Sequence, residues 1–342
     1  MNALSLVDGP FADDFFPFSL TRSVADIRCG ILTLREKWDL YIKNNAQISQ
    51  ELSIPANIIP DQSLINSLSL QNPEITLQNA HRLFNLTDIL RYNTTEIRND
   101  FQLITKGRNT APVSSTNKLT GSEIFLEPGA VVEHCFLNAS EGPVYIGKDA
   151  LIMEGSMIRG PFAIGEKTIV KMGAKIYGAT SAGPSCILGG EIKNSIFFGY
   201  SNKAHDGYLG DSVIGEWCNL GAGTSNSNVK NSGGIVKLWN PIKKTFVDAG
   251  LKSGLMMGDY SRSAIQTAFN TGSVVGVCSH VFGNGPTPAY LPSFSWGYNR
   301  TEYIFEKAIQ HISKWKKFKD QELSPEEIKK LKLIFDQQNQ LK

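Results

Sequence analysis

The sequence predicts an α+β chain built around a left-handed parallel β-helix. Three observations carry that prediction. Aliphatic residues stand six apart without a break, at Ile146, Ile152, Ile158, Ile164, Val170 and Ile176. Four positions after them come Ala150, Ser156, Phe162, Thr168, Ala174 and Thr180, small in every case but one. Charged residues are only 19% of the chain while glycines number 31. A helix repeats at 3.6 residues and a flat strand at 2, so neither explains a period of six. A triangular solenoid does: each hexapeptide gives one short strand, the aliphatic residue stacks inward, and the small residue lets the chain turn the corner. Tight corners favour glycine, and solenoid faces need few charges.

The elements follow in order. Ala3–Val7 reads as a strand, followed by a loop and an amphipathic helix with Ile31, Leu34, Trp38 and Ile42 on one face. Residues 46–84 are rich in Asn, Gln and Ser and carry no clear period. Residues 85–104 read as a helix through Leu86, Ile89, Leu90, Ile97 and Phe101. The polar stretch Gly107–Lys118 marks a boundary. Hexapeptide character starts at Leu126 and Val132, breaks at Asn138–Pro143, and runs from Ile146 to Ile176. The phase slips near Gly183–Gly190 and returns at Ile214 and Leu220, with further irregular coils expected over residues 235–285. Thr301–Asp320 reads as a helix. Ser324-Pro325-Glu326-Glu327 is a capping box that opens another, with Ile328, Leu331, Ile334 and Phe335 as its stripe. Both helices are expected to pack on the prism or on a neighbouring subunit, and Lys316-Lys317-Phe318-Lys319 to form a solvated face.

Composition narrows the function. A net charge of +2 and pI near 8.2 argue against a nucleic-acid partner, which calls for clustered Lys and Arg. No apolar run reaches the roughly 18 residues of a membrane span. Met1–Phe16 holds three Asp and no basic residue, unlike a secretory signal. The five cysteines (Cys29, Cys135, Cys186, Cys218, Cys278) lie far apart with no CxxC pair. They read as reduced, mostly buried thiols of a cytoplasmic protein, with no disulfide and no metal site.

The residues suited to chemistry follow the phase slip. His205 is one of five histidines and lies in a polar, Gly-containing loop that interrupts the repeat. A neutral imidazole can take the proton that an amine loses as it attacks a thioester. A base and a structural, hydrogen-bonded histidine both fit that context. Lys193 can hold an anionic phosphate, and Glu191 and Asn219 can bond sugar hydroxyls. Ala222-Gly223 lets a backbone N–H approach a thioester carbonyl closely.

Glu191–Asn228 resembles the acetyltransferase domain of the bifunctional enzyme that makes UDP-N-acetylglucosamine. Glu191-x-Lys193, His205, Tyr208 in Tyr-Leu-Gly-Asp, Asn219 in Asn-Leu-Gly-Ala-Gly-Thr, and Asn228 keep that family's spacings. The resemblance implies His205 as general base. It implies Lys193, Tyr208, Asn219 and Asn228 around a sugar phosphate with Glu191 beside them, and Ala222 and Gly223 on the acetyl-CoA side. Lys175 is matched to the family's basic residue one coil earlier. Val229 stands where the family has Tyr, and the family's later lysine is Lys230 or Lys237, which bears on the sugar more than on the reaction. Across residues 85–300 the chain is similar to the alternative form of that enzyme, often described as sugar nucleotidyltransferases. The runs Gly142–Gly147, Gly173–Gly178, Gly199–His205 and Pro292–Gly297 carry the likeness, joined by Pro17–Arg22 and Ala25–Trp38.

That likeness implies three parts: a shortened nucleotidyltransferase-like α/β domain (1–110), a β-helix acyltransferase domain (111–300) and a C-terminal helical extension (301–342). It also implies a homotrimer with sites between subunits. The first part lacks a Gly-rich phosphate loop, since Asp8–Asp14 holds one Gly. Arg22 and Arg28 are candidates to neutralise nucleotide phosphates, and Asp8 or Asp26 to hold Mg²⁺. A salt-bridged helix start explains Arg22, Asp26 and Arg28 equally. Three functions compete: acetyl transfer from acetyl-CoA to a hexosamine 1-phosphate, nucleotidyl transfer to a sugar 1-phosphate, and a non-catalytic scaffold.

Overall fold

The computed structural model describes residues 4–44, 52–70 and 73–338. Ala3 of the predicted first strand and parts of the 46–84 stretch lie outside them. The centre of the chain is a parallel β-solenoid with three faces, as the six-residue period predicts. Among the described residues one face has nine strands, running from Ile124–Leu126 to Tyr290–Leu291. The second has ten, from Val131–Val132 to Thr301–Glu302, all parallel except the last. The third has six, from Lys118–Thr120 to Tyr208–Gly210. The first rung therefore begins at Lys118, the end of the stretch read as a polar boundary.

The six aliphatic residues and their six partners four positions on are all at most 2% exposed and fill the interior. One full coil is eighteen residues, as in the pairing of Phe162 with Thr180. The phase slip is a shortened coil: Ser181 pairs with Ile196, fifteen residues on. The predicted irregular coils over 235–285 are corrected in part. Lys237–Asn240 and Thr245–Asp248 form an antiparallel hairpin looped out of the solenoid, and coils resume at Met256–Met257. A local antiparallel pair satisfies its own backbone groups, so the rungs on either side still stack.

The N-terminal part covers the first face. Strand Leu4–Val7 pairs in parallel with Leu52–Pro55. Helices α1 (Leu34–Lys43), α2 (Gln62–Leu70), α3 (Pro73–Gln78) and α4 (Leu86–Thr105) follow. Thr33 and Glu36 close a capping box at α1, and Asn85 caps α4. Phe15, Phe18, Val24 and Ile27 pack with Ile196, Phe198, Val213 and Met256 of the first face, while Ile97 and Phe101 of α4 cover Phe125 and Ala163. Asn93 ties α4 down by donating to Ala179 O at 2.6 Å and accepting from Gly30 N at 2.8 Å. Under α1, Lys37 pairs with Glu96 at 2.6 Å and Asp100 at 2.5 Å, all buried. Burial pushes the Asp100 carboxyl up to about 6, with Lys37 opposing.

The C-terminal helices α5 (Phe305–Lys317) and α6 (Pro325–Gln338) pack on the corner between the first and second faces. That corner takes the left-handed conformation coil after coil. Early coils place Asp149, Lys167 and Ser185 there, and later ones Tyr200, Trp217, Tyr260 and Phe294. The switch from polar to aromatic residues makes the apolar seat for Ala308, Ile312, Leu331 and Ile334. The predicted capping box forms, with Ser324 and Glu327 bonded reciprocally at 2.8 and 3.1 Å. Two expectations change. The helix begins at Phe305 because Thr301–Glu302 adds an antiparallel strand to the solenoid end. The Lys316–Lys319 cluster is not simply a solvated face: Lys316 is buried against Glu327 and lies over Trp217, and Lys319 reaches Ser185 O and Asn202. Their long stems cover apolar surface while each ammonium finds an acceptor.

Candidate functional site

With the first face and its far corner covered, the third face and the corner joining it to the second remain open. Three-residue strands place their middle residue inward and their flanking residues outward. Two outward rows result on the third face. One aligns Lys175, Glu191 and Tyr208, and the other aligns Tyr177, Lys193 and Gly210. Tyr177 donates its hydroxyl to Glu191 Oε1 at 2.7 Å, and that bond pushes its pKa up to about 12. Lys193 Nζ lies 5.7 Å from the centre of the Tyr177 ring. A side chain at Gly210 would place its Cβ 2.2 Å from the Tyr208 hydroxyl, so the glycine is what lets that ring lie down.

Asn228 Nδ2 donates to Tyr208 Oη at 3.2 Å and to Asp211 Oδ2 at 2.5 Å. Asn194 donates to the other Asp211 oxygen at 2.7 Å. Asp211 is thus the buried hub that orients Asn228 toward Tyr208. Burial raises the Tyr208 pKa, with Asp211 and Glu191 adding to it. Lys175, Glu191, Lys193, Tyr208 and Asn228 are therefore brought to one surface. Lys175 and Tyr177 also line a groove of about 500 Å³ shared with Phe136, Asn138, Met157 and Arg159.

His205 sits on the corner between the second and third faces, three residues before Tyr208. It is exposed, and among the described residues its ring has no hydrogen-bond partner. The corner Gly221–Thr224 stacks one coil further along, with Gly223 N–H donating to Asp206 O at 3.0 Å. That bond engages Gly223 and leaves the Ala222 N–H without a described partner beside the His205 corner. Asn219 lies apart from the Tyr208 rows. It faces outward on the second face, where Asn202 donates to it at 3.4 Å and Arg262 is its neighbour in register. The corner is thus the meeting point of two groups, Asn219 on one side and Glu191, Lys193, Tyr208 and Asn228 on the other.

The four nucleotide candidates lie elsewhere, at the junction of the N-terminal part with the first face. Asp8 accepts Val24 N–H at 2.9 Å. Arg22 bridges Asp259 and Glu216. Asp26 pairs with Arg35 at 2.6 Å. Arg28 donates to Phe198 O and Ile31 O and is buried.

Sequence reasoning passed over Asp211, Asn194, Tyr177 and Lys203. Asp211 closes the Tyr-Leu-Gly-Asp run, so a signal was there. Tyr177 became visible only with the register, which puts it beside Lys193. All five cysteines are buried and unpaired. No described helix is long and apolar enough to cross a membrane, and no cluster of metal-binding side chains occurs among the described residues.

Residues 4–55 match the sugar nucleotidyl transferase family. The chain is also similar to proteins described as bifunctional protein GlmU. The one from Methanocaldococcus jannaschii is 34% identical over 117 residues, which is 34% of this chain and 28% of that protein. The one from Methanococcus maripaludis strain C5 is 34% identical over 119 residues, again 34% and 28%. The one from Rippkaea orientalis is 40% identical over 74 residues, 21% of this chain and 15% of its own. The chain therefore spans under a third of the length of these relatives.

Proposed function

We propose that the chain is an acyltransferase of the GlmU type that moves an acetyl group from acetyl-CoA to the amine of a hexosamine 1-phosphate, glucosamine 1-phosphate being the first choice. The observation that carries this reading is the corner. An exposed imidazole, a backbone N–H without a described partner one coil away, and a polar surface holding Lys193, Tyr208 and Asn228 all meet there. His205 takes the proton from the attacking amine as the C–N bond forms. The Ala222 N–H faces the oxyanion of the tetrahedral intermediate. The C–S bond then breaks, and the proton passes to the departing thiolate. Lys193 attracts the phosphate, Asn228 and Tyr208 orient the sugar, and Asp211 holds Asn228. Lys175 adds a second cation in the neighbouring row, beside Glu191, and Asn219 approaches from the second face. The uncovered third face, with Phe136 and Met157 about half exposed, suits packing of a further copy and supports a homotrimer with shared sites.

The test is thiol release from acetyl-CoA with glucosamine 1-phosphate, beside His205→Ala. Loss of about 10²-fold or more in the variant is the expected result for a general base. No release from folded wild-type protein across amino-sugar phosphates sinks the reading. One observation favours a second activity: the sugar nucleotidyl transferase match over residues 4–55. UTP- and Mg²⁺-dependent pyrophosphate release from a sugar 1-phosphate tests it. Asp8, Asp26, Arg22 and Arg28 are the residues that reading would need.

A further inference from the structure

Inward positions of the second face form an apolar row through Val132, Ile152, Val170 and Leu188, continued by Leu220. Lys203 interrupts it, stacked directly after Leu188 and 1% exposed. A lysine in a solenoid core is costly, and among the described residues this one has no carboxylate in hydrogen-bond reach. Its ammonium bonds instead to two backbone carbonyls, His205 O at 2.5 Å and Gly189 O at 3.3 Å. Neither carbonyl accepts a backbone N–H from the described residues.

The reason lies in the coil beneath. From the inward residue of the second face to the first residue of the third, the chain takes five steps at Val170–Lys175 and again at Lys203–Tyr208. It takes only three at Leu188–Glu191, where the corner is Gly189-Gly190. This missing pair accounts for two of the three residues by which that coil is short. The His205 corner must therefore lie on a shorter one. The two come so close that a Cβ at Gly189 would stand 2.4 Å from Ala204 O, and one at Gly190 2.7 Å from His205 O. The short corner lacks the turn amide that Ala174 gives to Lys171 O one coil earlier, and Gly223 N–H goes to Asp206 O, so a buried ammonium meets the carbonyls of Gly189 and His205.

We propose that Lys203 is a positioning residue for the candidate base: it fixes the backbone of His205 over the shortened Gly189-Gly190 corner. The catalytic half of this inference rests on the acetyl-transfer reading, whereas the positioning half does not. Burial also pulls the Lys203 pKa down to about 8, with Asp206 opposing, which fits an ammonium held by carbonyls alone. Misplacing a reacting group by about 1 Å can cost on the order of 10² in rate, so a fixed carbonyl at the base has a use that a leucine cannot supply.

The experiment compares full-length wild type with Lys203→Met and Lys203→Arg. Amide hydrogen exchange is followed across residues 204–208, together with acetyl transfer where wild type shows it. Met restores an apolar side chain between Leu188 and Leu220, so the coil is expected to stay folded. Exchange at residues 204–208 should speed up by about 10-fold or more in Lys203→Met, with kcat lower by about 10- to 100-fold and KM for acetyl-CoA little changed. Lys203→Arg, which keeps a cationic donor, should recover part of both. Unchanged exchange at the corner in a folded Met variant overturns the proposal. So does failure of both variants to fold, because the residue then serves coil stacking. Faster exchange with no turnover by wild type upholds the positioning role and rejects acetyl transfer instead.

Discussion

Replacing Arg22 by Met tests whether the N-terminal part uses its arginine to hold the solenoid. Arg22 has an 11% exposed side chain and bridges Asp259, 3% exposed, and Glu216 at 3.2 Å. Burial alone pulls its pKa down, but Asp259 and Glu216 outweigh it and the net shift is upward. The variant keeps most of the apolar stem and leaves the Asp259 carboxylate buried without its cation. Removing one partner of a buried pair costs about 3–5 kcal/mol. Asp259 still accepts from Glu216 N–H at 2.8 Å and the Thr21 hydroxyl at 2.7 Å, which places the expected loss near the lower end, about 3 kcal/mol. Urea unfolding at pH 7, followed by far-ultraviolet circular dichroism, reads it. The double variant with Asp259→Asn should recover part of the loss, giving a coupling of about 1–3 kcal/mol. A loss under about 1 kcal/mol with no coupling refutes the docking role. A UTP- and Mg²⁺-dependent rise in Tm that disappears in Arg22→Met would point to a phosphate ligand instead.

Three further outcomes are expected. His280 is held down to about 4, by burial first and then by Arg262 and His311. Its contribution to stability is complete above about pH 6.5 and is lost as pH falls toward 4, because the unfolded chain takes up the proton first; the total is about 3 kcal/mol. Asp100, raised to about 6, acts in the opposite direction over much the same range, so the measurement is the difference between wild type and His280→Phe in urea titrations from pH 7 to 4. Gly210→Ala forces the Tyr208 ring away from its 2.2 Å approach and should raise KM for the sugar phosphate while leaving KM for acetyl-CoA alone. Gly189→Ala meets the Ala204 carbonyl, a backbone atom, and should lower kcat of acetyl transfer in steady-state assays without unfolding the protein.

The solenoid was legible because one period serves the coils before the slip: Ile146 to Ile176 needed only counting. What the period could not show was where it would be broken and why. The slip near Gly183–Gly190 was visible as lost phase, yet its consequence, a buried Lys203 beneath His205, depends on which carbonyls lose their amides. That is a three-dimensional fact. The hairpin at 237–248 escaped because alternating short strands read alike whether they join the coil or leave it. The Lys316–Lys319 cluster was read as a solvated face because a charge run usually is one. Of the aromatic corner residues that receive it, Trp217 stands 43 residues from the next coil's equivalent, Tyr260, so the two show no local pattern.

The two covering segments explain why chemistry would gather where it does. The N-terminal part seals the first face with Phe15, Phe18, Ile97 and Phe101. The C-terminal helices seal the aromatic corner; α5 places Trp315 over Arg262 and the turn after it brings Lys319 to Asn202, closing part of the second face. Each closure buries apolar surface that a bare prism would expose. The opposite corner receives neither. It carries His205 and Ala222, with Met172 and Ile265 both largely exposed beside them. A scaffold whose first face and aromatic corner are closed keeps the remaining corner rigid, and leaves the third face as an apolar-edged surface. A second copy of the chain is the completion that the bare third face fits best, so activity that rises with protein concentration faster than linearly is the behaviour this arrangement predicts.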